Sequence, residues 1–248
     1  MSGHTRWHSI KHKKALIDAR RGKLFTRVIR ELTIAARLGG SDAGSNPRLR
    51  TAIQAAKDVN MPKETMERAI KKGAGELEGM AMEELRYEGY GPGGVAIMVR
   101  ATTDNRHRTA GDVRHIFTKY GGNMGTDGCV SYLFSHQGVI EVEGGDEDKV
   151  MEVALEAGAE DVQAVEGGFV VKTRPDNLQD VREAIEKAGL TVAQSRAGYF
   201  ASTKTTLEGK ELEMCARLIN ALDDYDDVDE VAHSLEETEA AMALLGGA

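Results

Sequence analysis

The sequence predicts an α+β protein: an N-terminal helical domain followed by two ferredoxin-like (split βαβ) domains, one inserted in the other. Three observations predict it. Residues 1–75 carry apolar side chains at helical spacing with cations between them. A weak internal repeat, Val150-x-Glu152 to Ala157-Gly158 and Val181-x-Glu183 to Ala188-Gly189, sets two glycine-ended helices among four short strands. The flanks of that repeat, Val95–Phe134 and Tyr199–Ala232, each read βαβ, so one α+β domain is split around the other. The expected boundaries are 1–75 for the helical domain, 76–134 with 199–234 for the discontinuous domain, 135–198 for the βαββαβ insert and 235–248 for a tail.

The opening segment packs Arg6, Lys11, Lys13, Lys14, Arg20 and Arg21 around a lone tryptophan, Trp7. Cations with an exposed ring suit nucleic acid, where charge meets phosphate and a ring stacks on a base. Trp7 suits equally an anchor on the helical core. His4, His8 and His12 lie four apart, but no Cys or carboxylate completes a metal ligand set near them. The stretch Gly22 to Arg37 then reads as a two-faced helix. Arg27, Arg30 and Arg37 return to within about 40° of Lys23, at roughly 100° per residue. Phe25, Val28, Leu32 and Ala36 lie opposite, and only Ile34 intrudes on the basic stripe. Asn46-Pro47 opens a second helix as N-cap and first-turn proline, with Arg48, Arg50 and Lys57 outside its apolar face. A third follows the break at 60–62, with Met66, Ala69 and Ile70 inward and Lys63, Arg68, Lys71 and Lys72 outward.

Beyond a Gly- and Glu-rich linker, Gly91-Pro92-Gly93-Gly94 reads as the turn of a hairpin. A helix is expected from Arg106 to Tyr120, capped by Asp104 or Asn105. Its residues Arg106, His107 and Arg114 form a secondary candidate basic patch, or a solvated face. In the insert, strands are expected at 139–142, 161–165, 169–172 and 191–195. The acidic run from Asp223 to Glu230 lacks the spacing of a calcium loop and reads as a solvated turn.

The formal net charge of −8 conceals a division. Residues 1–72 hold 17 Lys/Arg against 6 Asp/Glu, and residues 73–248 hold 15 against 34. A segment at +11 beside a remainder at −19 points to a polyanionic partner for the first segment. No apolar run approaches the roughly 20 residues of a membrane span, and the basic start lacks the apolar core of a secretory signal. Cys129 and Cys215 belong to no CxxC pattern and read as reduced thiols of a cytoplasmic protein. No GxSxG, HExxH or zinc-spaced set appears, so the expectation is a binding protein without catalysis, cofactor, metal or small-molecule substrate. The candidate nucleic-acid contacts are Lys11, Lys13, Lys14, Arg20, Arg21, Lys23, Arg27, Arg30, Arg37, Arg48 and Arg50.

The strings GHTRW, IKHKKA, DARRGKLFTRVIREL, AARLGG, NPRLRTAI and NMPKETMERAIKKG resemble the N-terminal part of the YebC/PmpR family. Further on, YEGYGPGGVAIMV, DNRHRT, KYGGNMGTDGCVSYLF and ALEAGAEDV resemble the same family in the same order. The resemblance implies the three-domain layout and a regulator of transcription that binds promoter DNA. Mitochondrial relatives that activate translation, and a bacterial link to ribosomes stalled on consecutive prolines, imply the alternative: a translation factor on ribosomal RNA.

Overall fold

The computed structural model describes residues 21–77 and 82–245. Among them the chain forms two compact units, one of residues 21–77 and 136–198, the other of residues 82–135 and 199–245.

The first unit opens with α1 (Arg21–Gly39), α2 (Pro47–Asp58) and α3 (Lys63–Gly73). Their core is Val28, Leu32, Ala35, Ala36, Leu49, Ala52, Ala56, Met61 and Ala69. So many alanines let the helices approach closely. A Cβ at Gly73 would collide with the Thr33 carbonyl oxygen, so only glycine ends α3 against α1. The buried Asn46 staples the first turn of α2 to the end of α1. Its Oδ1 accepts from the Leu49 N–H at 3.0 Å, and its Nδ2 donates to the carbonyls of Ala35 and Gly40, both at 2.8 Å.

The second unit starts with the hairpin of β1 (Glu83–Tyr90) and β2 (Ala96–Thr103). Gly93 and Gly94 in its turn take φ of +66° and +75°, which side chains disfavour. Helix α4 (Arg106–Lys119) is capped by Asn105, whose side chain accepts from the Arg108 N–H at 3.1 Å. It crosses to β3 (Asn123–Met124), which pairs with β1 on the side away from β2, a split βαβ.

The insert follows as β4 (Phe134–Glu143), α5 (Glu147–Glu156), β5 (Asp161–Val165), β6 (Gly168–Thr173), α6 (Leu178–Lys187) and β7 (Thr191–Ala201). The sheet order β5-β6-β4-β7 is that of a ferredoxin-like βαββαβ fold. The repeat glycines Gly158 and Gly189 take φ of +94° and +80° just past the two helices, the left-handed stop that glycine supplies. β7 runs on to Ala201 rather than ending at Ser195. Within this unit Arg182 on α6 reaches the helical part. It donates to Asp58 at 3.1 Å, Ser195 at 2.9 Å and Glu186 at 3.0 Å.

The chain then returns to complete the second unit with α7 (Gly209–Asp224) and β8 (Val228–His233), which pairs with β2. The finished order is β3-β1-β2-β8. Ile97, Val99, Val113, Phe117, Leu218 and Leu222 form the core between this sheet and helices α4 and α7. The opposite face is buried too, at Glu88, Ala96 and Met98. The segments leading to and from the insert bond there: Val130 and Ser131 to Glu88, and Tyr199 to Glu230. The protein is thus α+β, with two separate antiparallel four-stranded sheets.

The stretch read as a tail is structured up to Leu245. Thr205 bridges to Leu235, and Glu239–Leu245 forms α8, with Leu235 and Ala241 wholly buried in the second unit's core. Seven residues, Glu239 and six of Ala, Met and Leu, give too short a period to read as an amphipathic helix. Among the described residues no helix is long and apolar enough to cross a membrane.

Candidate nucleic-acid interface

Lys11, Lys13, Lys14 and Arg20, with Trp7 and the three spaced histidines, lie outside the described residues, and Arg21 begins α1. Of the rest of the expected stripe, Arg37 is exposed and Lys23 and Arg27 are half-buried. Arg30 departs from expectation: it is 9% exposed, and its neighbour Ile34 only 2%. Leu32, Thr33, Ile34, Ala35 and Ala36 are all buried in succession. A two-faced helix would show one or two solvent positions in that run. Part of that run is accounted for by two neighbouring helices. Its Glu31 and Ala35 meet α2, while Thr33 and Ala36 meet α3. Arg48 and Arg50 are drawn into the bundle's own bonds. Arg48 makes a two-pronged pair with Glu31 at 2.6 and 3.0 Å. Arg50 donates to the carbonyls of Ala43 and Gly44 at 3.1 and 3.0 Å.

The exposed cations of this part are instead concentrated on α3, where Arg68, Lys71 and Lys72 stand at i, i+3 and i+4. Gly73 touches Ala36, so the exposed Arg37, one residue on, belongs to the same end of the bundle. These α3 cations were absent from the expected contacts, although the spacing of Met66, Ala69 and Ile70 already turned them outward.

In the second unit Arg106, His107, Arg108, Arg114 and His115 are all exposed on α4. Arg108 is engaged by Asp227 at 2.9 Å and Asp104 at 3.1 Å. Asp227 also accepts from Thr109 at 2.7 Å and Thr103 at 3.2 Å. Burial alone would raise its pKa, but these bonds hold it below the ordinary aspartate range. Tyr225, half-buried and donating to Asp112 at 2.6 Å, is pushed up to about 12. The acidic run is therefore in part a clamp on the start of α4. No group of three or more His, Cys, Asp or Glu able to hold a metal occurs among the described residues.

The N-terminal-domain model of TACO1/YebC proteins matches residues 5–76, and the model of their second and third domains matches residues 82–235. The chain belongs to the TACO1/YebC family. A relative from Desulforapulum autotrophicum, named a probable transcriptional regulatory protein, is 55% identical over 92% of this chain and 93% of its own. One from Shewanella oneidensis with the same name is 52% identical over 99% of this chain and all of its own. The crystal structure of a conserved hypothetical protein from Aquifex aeolicus superposes with a TM-score of 0.77 at 51% identity, covering 89% of this chain and 92% of that one.

In this TACO1/YebC chain the resembling strings coincide with bonded structure. DNRHRT carries the cap and clamp of α4. The string KYGGNMGTDGCVSYLF holds the loop that Glu88 fastens. Glu88 Oε2 accepts from the N–H groups of Val130 at 2.9 Å and Ser131 at 2.8 Å, and Arg86 lies 3.6 Å from the other oxygen. Burial works to raise the Glu88 pKa, yet the backbone donors and Arg86 outweigh it and hold it low.

Proposed function

We propose that this chain is a non-enzymatic regulatory protein of the cytoplasm that binds nucleic acid through its basic N-terminal helical domain, and that DNA is its target in the regulation of transcription. The observation that carries the reading is the group Arg37, Arg68, Lys71 and Lys72, exposed at one end of the bundle in a segment of charge +11. The names of the relatives agree with it. No cofactor, membrane or small-molecule substrate is required.

A second reading, a translation factor on ribosomal RNA, is favoured by the chemistry of that surface. The exposed positions of α3 are Lys, Arg and Glu; the cations among them meet phosphates, and no Asn or Gln stands there to read an adenine edge. The test is the full-length chain carrying Arg68→Glu, Lys71→Glu and Lys72→Glu. Binding to duplex DNA should fall by at least about tenfold, the scale of a single lost phosphate contact, with native circular dichroism. Unchanged affinity removes α3 from the interface. A DNA regulator prefers its own site to random duplex by about a thousandfold or more. Co-sedimentation with ribosomes without such a preference selects the second reading.

A further inference from the structure

We propose that the outer face of α4 is a second contact for the phosphate backbone of nucleic acid, with Gly111 as its floor and His107, Arg108, Arg114 and His115 as its walls. The inference rests on the nucleic-acid reading above.

On a helix surface the neighbours of a residue are those three and four positions away. For Gly111 these are His107, Arg108, Arg114 and His115, and all four are basic types. The glycine itself is not demanded by the fold. It lies in the middle of α4, its φ is not positive, and an added Cβ would meet nothing within 4 Å. Glycine is nonetheless the poorest helix former after proline. What it offers there is close approach by something outside the chain. The first turn makes the same point with charge. Arg106, His107 and Arg108 stand at the helix end whose dipole opposes cations, whereas Lys71 and Lys72 occupy the last turn of α3, which favours them. Only the cost of Arg108 is visibly offset, by Asp104 and Asp227. The side chains of His107, Arg114 and His115 make no hydrogen bond or ion pair among the described residues. The acids nearest the cup are already engaged, Asp104 and Asp227 by Arg108 and Asp112 by Tyr225. Two local rules are thus broken on one exposed face with a return in stability only at Arg108, the pattern of a functional surface.

The test uses the full-length chain and a labelled random 20-base-pair duplex across a salt series. Arg114→Gln should weaken binding about tenfold, the scale of one charge-assisted hydrogen bond. It should also make the slope of log affinity against log salt shallower by about 0.9, one phosphate's worth on duplex DNA. Gly111→Ala should raise the melting temperature while weakening binding. The Arg68→Glu, Lys71→Glu, Lys72→Glu chain runs alongside. If it loses binding while both α4 variants keep wild-type affinity and slope, the second contact is wrong and the N-terminal reading stands. If the α4 variants alone lose binding, the second contact stands and the N-terminal assignment falls. If none of the variants changes binding, both are wrong. Should Gly111→Ala and Arg114→Gln lose only capture of a polyglutamate peptide, the face serves an acidic protein and the proposal is overturned.

Discussion

Glu88 sits 2% exposed on the covered face of a sheet, and two backbone N–H groups and an arginine keep it charged there. Glu88→Gln keeps the oxygen that accepts both backbone N–H groups, but it removes the charge and turns a buried NH2 toward the Arg86 guanidinium. It should cost about 1–3 kcal/mol, the range for leaving a buried polar group unsatisfied, read as a lower urea midpoint. Because the folded pKa is depressed, this stabilisation is present above the ordinary glutamate value of about 4.3. It is lost as pH falls through the lower folded value. The acid side of the stability curve should therefore flatten in the Gln variant. None of this was legible at the residue itself. In the string YEGY, Glu88 has the look of the outward half of an alternating strand. Its burial is decided by Val130 and Ser131, some forty positions later. The same holds for Arg48, which the period of its own helix turns outward and a glutamate on another helix turns back.

The helices, taken one at a time, divide by how local their signals are. Gly158 and Gly189, the Asn46-Pro47 start and the Asn105 cap were readable because each acts on its own helix within a turn or two. The stripe on α1 was only half readable. Its apolar side is the core side, but the side bearing Arg30 and Ile34 is buried as well. A periodicity argument assumes one buried face, and α1 has neighbours on two. Arg30→Glu should therefore act on the fold before it acts on binding. A buried cation replaced by an anion is expected to cost about 3 kcal/mol or more, seen as a loss of the cooperative urea transition at a lower midpoint. A variant as stable as the parent would place Arg30 at the surface after all. The run of β7 beyond Ser195 and the whole of α8 were missed for the complementary reason: the strand's last residues alternate poorly, and the helix is too short to show a period.

For the whole molecule, charge and connectivity are the quantities that matter. With about five phosphates neutralised, binding to random duplex should show a slope of roughly −4 to −5 against log salt. The α3 triple variant should lose up to about three of those units, a comparison that an intact −19 remainder leaves unaffected. Arg182→Ala tests how the first unit is held together. Removing its bonds to Asp58, Ser195 and Glu186 should lower that unit's stability by about 1–3 kcal/mol, measured by hydrogen exchange in α2 and α6. The split of one sheet around another was legible from its two flanks, although the strand expected at Tyr199 is the end of β7 in the inserted sheet, so the returning flank gives the outer sheet only α7 and β8. What no local pattern disclosed was that β8 belongs beside β2, with Ile97 opposite His233. That pairing has a consequence during protein synthesis. β2 emerges more than a hundred residues before its partner, a wait of roughly 6–26 s at ordinary elongation rates. The inserted sheet is complete at residue 201, while the outer sheet still exposes an unpaired strand edge. A nascent chain interrupted between residues 202 and 227 would carry one finished sheet and one open one, and chaperones or proteases would meet it at the edge of β2.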